Sequence, residues 1–169
     1  MKQWNVTKRG VREIYRPKIY LETTIFNHYF DTERDAHTAT VKLFGEIKMG
    51  KYEAFTSLYV VDELNKANEP KKSEMLELIG KYGIQVLNFS DEARNLANIY
   101  VREGIIPTKY HYDGLHIACA TVYDMEYIFS LNFKHINKLK TKTMTNLINI
   151  RERYRQVVII SPMEVIDDE

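Results

Sequence analysis

Short apolar segments typical of β-strands alternate along this chain with longer segments of helical periodicity. Strands are predicted at residues 18–21, 52–57, 84–87, 127–130 and 157–160. Strands separated by helices form βαβ units, and the parallel sheet that results is covered by helices on both faces. The alternation therefore predicts an α/β fold with a mainly parallel sheet.

The helical segments are bounded by residues that favour helix ends. Gly50, Gly83 and Gly104 stand where a helix C-terminus favours glycine, and Ser90 stands where an N-cap is expected. Helices are predicted at residues 36–47, 58–66, 70–82, 91–103, 112–123 and 143–153.

Length and composition suit one ordinary globular domain. The chain has 169 residues, of which 44% are hydrophobic and 28% charged. Its apolar runs are too short to cross a bilayer, and residues 1–16 lack the apolar region of a secretory signal. The only cysteine, Cys119, excludes an internal disulfide and any multi-cysteine zinc site. We therefore expect a cytoplasmic protein with no membrane segment.

The net charge of +1 is too small to indicate a dedicated DNA-binding domain, so local charge matters more. One run carries four lysines and no acid, and comprises Lys134, His135, Lys138, Lys140 and Lys142. It has two interpretations. Charge runs are usually solvated loops, but this one could also follow a nucleic-acid backbone.

Polar residues stand near the predicted carboxyl edge of the sheet. Glu22 ends the first strand, and Asn132 closely follows the fourth. Glu63 and Asp113 lie early in predicted helices. Ligands of open α/β sheets bind outside the carboxyl ends of the strands, and carboxylates gathered there repel one another unless a cation neutralises them. Mg²⁺ and Mn²⁺ favour such oxygen ligands, and a metal held there could hydrolyse a phosphodiester bond.

Other chemistries have weaker support. Asp113 and His116 could share a helix face as zinc ligands, but the further ligands would have to come from His28, His37, His111 and His135. We expect His116 to pack against the sheet with one nitrogen bonded, and Cys119 to be a small buried hydrophobic residue. Gly-rich phosphate loops and the GxSxG turn are absent from the sequence.

Thr23 and Thr24 follow the first strand directly. They could bind a phosphate or a metal-bound water, or they could cap the next segment, and the sequence favours neither interpretation.

Four segments resemble, in order, the PIN-domain family. They are Tyr20-Leu21-Glu22-Thr23-Thr24, the helix that contains Glu63, Tyr112-Asp113-Gly114-Leu115-His116-Ile117-Ala118, and Leu131-Asn132-Phe133-Lys134-His135-Ile136. Residues 149–166 are similar to the end of the toxin-type, VapC-like subgroup. The resemblance covers residues 18–166.

The resemblance implies a PIN-like, three-layer α/β/α domain over residues 18–169, with a mainly parallel sheet of four or five strands and an N-terminal extension over residues 1–17. It also implies an endoribonuclease that depends on Mg²⁺ or Mn²⁺ and cleaves single-stranded RNA. Many such proteins are homodimers and toxins silenced by a cognate antitoxin. The alternative is a PIN-fold binding or assembly module with weakened or lost catalysis.

The resemblance assigns the catalytic and metal-binding roles to Glu22, Glu63, Asp113 and Asn132. Glu63 and Asp113 match family acids, whereas Glu22 stands where most members have Asp and Asn132 where many have Asp. These two departures predict weaker metal binding and leave the fold unchanged. The residues expected to bind RNA lie beside this site: Thr24, Lys134, His135, Lys138 and Lys140.

Overall fold

The computed structural model describes residues 6–8 and 11–166, with side chains described from residue 14 onward. Its main sheet is entirely parallel and has five strands in the order β5-β4-β3-β6-β7. The strands are β3 (Lys18–Leu21), β4 (Glu53–Ser57), β5 (Gln85–Leu87), β6 (Tyr127–Phe129) and β7 (Val158–Ile160). All five lie where the sequence predicted strands.

A separate antiparallel pair precedes this sheet: β1 (Val6–Lys8) and β2 (Val11–Glu13). The sequence did not predict this pair. It falls within the predicted N-terminal extension, of which residues 1–5 and 9–10 lie outside the described residues, as do residues 167–169 of the predicted domain. The boundary at residue 17 stays a prediction.

Strand β3 lies at the centre of the main sheet, between β4 and β6. Its residues Ile19, Tyr20 and Leu21 point alternately to opposite faces, yet all three are fully buried. Helices therefore cover both faces, as expected for a parallel sheet. The chain builds outward from β3 to β4 and β5, then returns to add β6 and β7 on the other side, so the carboxyl end of β3 is a topological switch point.

Seven α-helices occur in the described part of the chain. They are α1 (Thr23–Phe30), α2 (His37–Lys48), α3 (Leu58–Leu64), α4 (Lys71–Lys81), α5 (Asp91–Arg102), α6 (His111–Val122) and α7 (Leu139–Arg151). Each helix from α2 to α6 lies where one was predicted. Every helix among the described residues is too short or too polar to traverse a bilayer.

Helix α1 was not predicted. It opens with two threonines and contains aromatic residues, and both types have modest helix propensity. Burial decides its conformation, because Ile25 and Phe26 are fully buried on the face that meets the core. Tertiary packing thus overrides a weak local preference.

Helix α7 begins earlier than predicted, at Leu139 instead of residue 143. Lys140 and Lys142 lie in its first turn, and Lys138 is the extended residue before it. The interpretation of the whole lysine run as a loop was therefore wrong for Lys140 and Lys142. Lysine is a good helix former, so charge alone did not indicate a loop.

Helix α6 is buried over almost its whole circumference, from Gly114 to Thr121. It packs between the sheet and α5, and small residues make the close approach feasible: a Cβ at Gly114 would lie 3.8 Å from the Ala97 side chain. Cys119 is fully buried, and burial raises its thiol pKa to about 12, so it is a buried hydrophobic residue as predicted. This rigid placement fixes Asp113 and His116 at the start of the helix.

Candidate active site

The four polar residues singled out in the sequence meet around the carboxyl end of β3. Glu22 directly follows β3, and its backbone N–H donates to Phe129 O of β6 at 3.1 Å. Glu63 and Asp113 come from α3 and α6, and Asn132 from the segment after β6. Glu63 influences the pKa of both Glu22 and Asp113, so the three carboxylates share one electrostatic environment.

Glu22 is buried, with only 3% of its surface exposed. Its Oε2 accepts hydrogen bonds from Thr24 Oγ1 at 2.5 Å and from Ser130 Oγ at 2.8 Å. Burial raises the carboxyl pKa and outweighs these hydrogen bonds and the nearby His116, which act to lower it. Because both bonds fall on Oε2, Oε1 accepts none within the described residues and is left for a ligand.

Thr24 has a structural task at this site. Its hydroxyl donates to Glu22 and accepts from the Leu131 N–H at 2.8 Å, which ties α1 to the segment after β6. A hydroxyl has a single hydrogen to donate. A phosphate oxygen only accepts, so a phosphate contact from Thr24 would have to replace its bond to Glu22. Neither Thr23 nor Thr24 caps the helix, because the N-cap position of α1 is Glu22 itself.

Glu63 is bound to His116. Glu63 Oε1 forms a short hydrogen bond with His116 Nε2, and His116 Nδ1 lies 2.9 Å from the Tyr20 hydroxyl. Burial acts to raise the Glu63 pKa, but the hydrogen bond to His116 and the positive charge of His116 lower this pKa overall. Burial likewise acts to lower the His116 pKa, but Glu63 and the other two acids raise it. The pair therefore favours an ionised carboxylate beside a protonated imidazole, and His116 has both nitrogens bonded, instead of the one predicted.

Asp113 is half-buried, and burial raises its carboxyl pKa even though His116 and His135 act to lower it. Its Oδ1 accepts from Asn132 Nδ2 at 3.3 Å. Asn132 Oδ1 accepts from the His135 backbone N–H at 3.0 Å, and the Asn132 backbone N–H donates to Ser130 Oγ at 3.1 Å. Asn132 is thus held on three sides and presents its amide group to Asp113.

Two buried polar atoms beside the acids lack a hydrogen-bond partner of normal geometry within the described residues: Thr23 Oγ1 and His135 Nε2. Thr23 lies close enough to Glu63 to help lower its pKa, and His135 does the same for Asp113. Buried polar atoms are normally satisfied by protein, water or an ion. A water or a bound polar group beside the carboxylates would satisfy both atoms.

The donor set fits a hard, partly hydrated divalent ion. Carboxylate and amide oxygens suit Mg²⁺, which binds through one or two carboxylates and keeps several waters. In the described part of the chain, no group of three His, Cys, Asp or Glu side chains is close enough to hold an ion alone. A structural zinc ion is held by four protein side chains, and the described residues contain no such group.

Three of the four histidines proposed as further zinc ligands contact groups other than the acids, whereas the fourth, His135, stacks on Tyr110 and lies near Asp113. His28 Nδ1 lies 2.8 Å from Thr24 O, and His37 Nδ1 lies 3.0 Å from His28 O. His111 Nε2 lies 3.1 Å from Asn98 Oδ1.

A basic surface begins directly after Asn132. Lys134, Lys138 and Lys140 are exposed, and none of them makes an ion pair with another described residue. His135 stacks on Tyr110 with ring centroids 3.8 Å apart. Of the residues predicted to bind RNA, Thr24 contacts Glu22 and His135 lies near Asp113, whereas the three lysines follow the site along the chain.

Three residues of the site were missed in the sequence: Tyr20, Ser57 and Ser130. Each lies near the carboxyl end of a strand at the switch point, so its position was a usable signal. Ser130 bonds to Glu22, Tyr20 bonds to His116, and Ser57 bonds to Tyr20.

No protein-family model matches this sequence, and no curated protein matches it as a relative. Among 14 matching chains of solved structures is one from VapBC2 of Rickettsia felis, bound to a DNA fragment from its promoter. It has a TM-score of 0.54 and 13% identity, over 85% of this chain and 98% of that one. VapC20 of Mycobacterium tuberculosis is a toxin that cleaves the sarcin–ricin loop. Its structure matches with a TM-score of 0.50 and 12% identity, over 69% of this chain and 92% of VapC20. The chain therefore has a VapC-like PIN fold, as predicted.

Proposed function

We propose that this chain is a metal-dependent endoribonuclease that cleaves phosphodiester bonds of single-stranded RNA. The observation that carries the proposal is the grouping of three carboxylates at one sheet edge, although burial disfavours the charge of two of them. Such crowding destabilises the folded protein unless a cation offsets it. A functional site is where an arrangement of this kind is expected.

Glu22, Glu63 and Asp113, together with coordinated waters, would hold Mg²⁺ or Mn²⁺, and Asn132 would complete the polar surroundings. When bound, the metal polarises a phosphoryl oxygen and lowers the pKa of a coordinated water. Thr24 and Ser130 hold Glu22 through Oε2, which would leave Oε1 for the metal, and Asn132 holds Asp113 through Oδ1. The basic surface from Lys134 to Lys140 would hold the RNA backbone beside these acids.

Metal replacement tests this proposal. Protein stripped with EDTA should not cleave single-stranded RNA, and added Mg²⁺ or Mn²⁺ should restore cleavage. Duplex RNA and single-stranded DNA of the same sequence serve as controls for the substrate class. Cleavage that persists in excess EDTA would exclude the metal-dependent reaction.

A binding or assembly module is the second candidate, and the Glu63–His116 pair favours it. His116 already supplies a positive charge to one carboxylate, which reduces the need for a metal. This function predicts RNA or protein binding with no cleavage at any metal concentration.

We also propose that the chain acts in the cytoplasm as the toxin of a toxin–antitoxin pair, and as a homodimer. Support comes from the resemblance to VapC-like proteins and from the fold shared with VapC20, itself a toxin. Co-expression with a candidate antitoxin should relieve growth inhibition, and light scattering of the purified chain should give the mass of a dimer.

The basic surface carries its own prediction. Replacing Lys138 and Lys140 with Ala should weaken RNA binding and reduce its salt slope by about 1.4, the value for two lost phosphate contacts on a single strand. Turnover of bound RNA should change little. Lys42 and Lys48 on α2 are also exposed, and replacing both is the matched control. An unchanged salt dependence of RNA binding would show that these lysines form an ordinary solvated surface.

A further inference from the structure

The fully buried His116 connects Glu63 to a network of hydroxyl groups beneath the site. Nε2 contacts Glu63 Oε1, and Nδ1 lies 2.9 Å from the Tyr20 hydroxyl. A half-turn of the imidazole about its Cβ–Cγ bond would remove both contacts, because ring carbons would then occupy the positions of the two nitrogens. The ring orientation is thus fixed from both sides.

The Tyr20 hydroxyl continues the network. Tyr20 is fully buried at the centre of β3, and its oxygen lies 2.7 Å from Ser57 Oγ. Ser57 ends β4 and caps α3, accepting from the Val60 N–H at 3.3 Å. Since α3 also carries Glu63, the network begins at the start of this helix and returns to it through β3 and α6.

Hydrogen-bond chemistry decides which atom donates in the bond between His116 and Glu63. An ionised carboxylate accepts hydrogen bonds and cannot donate them. Nε2 must therefore carry a hydrogen, whether the ring is neutral or protonated. In both forms His116 donates to Glu63 Oε1 and fixes one side of the carboxylate, and Oε2 accepts nothing from His116.

We propose that His116, Tyr20 and Ser57 are positioning residues that hold Glu63 in the orientation needed to face the metal and the RNA phosphate. This inference rests on the proposed function. The three residues touch neither substrate nor metal, and they act through Glu63. Groups that orient ligands from behind commonly alter metal affinity or activity by about 10- to 100-fold.

Tyr20→Phe is the sharpest test, because it removes one hydroxyl and no carbon. Calorimetry should show Mn²⁺ binding weakened by about 10-fold or more, with a lower kcat and an unchanged KM for RNA. Tyr100→Phe is the matched control. Tyr100 is also fully buried, and its hydroxyl bonds to Asn149, which lies outside the network. This variant should bind Mn²⁺ like the wild type. His116→Gln, which can still donate to Glu63, should retain more Mn²⁺ affinity than His116→Ala.

A second measurement needs neither metal nor RNA. NMR of the metal-free protein should show a His116 Nε2–H signal protected from exchange in the wild type and in Tyr100→Phe, and exchanging faster in Tyr20→Phe. Equal Mn²⁺ affinity and equal exchange in both tyrosine variants would overturn the inference. A wild type that neither binds Mn²⁺ nor cleaves RNA would refute the proposed function instead, and the exchange rates would then decide whether the network orients Glu63.

Discussion

Replacing Asp113 with Asn should abolish RNA cleavage and leave the fold at least as stable as the wild type. The amide keeps an oxygen that can accept from Asn132 Nδ2, but the substitution removes one of the three carboxylates proposed to hold the metal. Metal-site chemistry depends on that charge, so we expect a loss of several orders of magnitude in kcat. Asp62→Asn, on the exposed face of the helix that carries Glu63, is the matched control and should stay active.

The stability difference should depend on pH. Burial raises the Asp113 pKa, so its ionised form destabilises the folded state at neutral pH, and that cost disappears below the ordinary Asp pKa of about 3.9. The melting temperature of Asp113→Asn should exceed that of the metal-free wild type at pH 7 and approach it as the pH falls towards 4. Calorimetry across this range measures the effect. Undiminished cleavage by the variant would remove Asp113 from the catalytic site.

Replacing Asn132 with Asp should affect the metal-free and metal-bound protein in opposite directions. Without metal, a second carboxylate replaces the amide that now donates to Asp113 at 3.3 Å. A pair of like charges at such a distance costs between about 1 and 4 kcal/mol, so the melting temperature should fall by several degrees. With metal, the added charge should tighten binding, because attraction to the ion is mainly Coulombic.

The measurement is a titration of Mg²⁺ against both cleavage and melting temperature. Asn132→Asp should need less Mg²⁺ for half-maximal cleavage and should gain more stability from the metal than the wild type does. Glu22→Asp keeps the negative charge and only shortens the side chain, so it should change the Mg²⁺ requirement less than Asn132→Asp does. An unmoved Mg²⁺ midpoint in Asn132→Asp would show that Asn132 does not lie near the ion.

The central strands β3 and β6 were predictable because each is a short, mostly apolar run buried in a parallel sheet, whereas the edge strand β5 is largely exposed. Helix α1 was not, since its conformation depends on burying Ile25 and Phe26 against residues distant in sequence. The start of α7 was misplaced because lysines at a helix start resemble a loop when only their charge is considered.

The site also has features that could be predicted from the sequence and features that could not. That polar residues following parallel strands share an edge follows from topology, and this rule brought Glu22 and Asn132 together. The Glu63–His116 pair joins residues 53 positions apart on two helices, and no local pattern reports such a contact. The hydroxyl groups of Tyr20 and Ser57 gain their role only through that pair.

The position of β3 at the centre of the sheet also governs when the site can exist during synthesis. Glu22 emerges early, but the strand that pairs with its backbone and the serine that holds its carboxylate come more than a hundred residues later. Until β6 is made, β3 is an edge strand and Glu22 lacks its bonds to Phe129 and Ser130. A polypeptide interrupted before Asn132 therefore lacks a working site. The proposed activity would appear only in chains translated beyond Asn132, and fragments that end before it would not cleave cellular RNA.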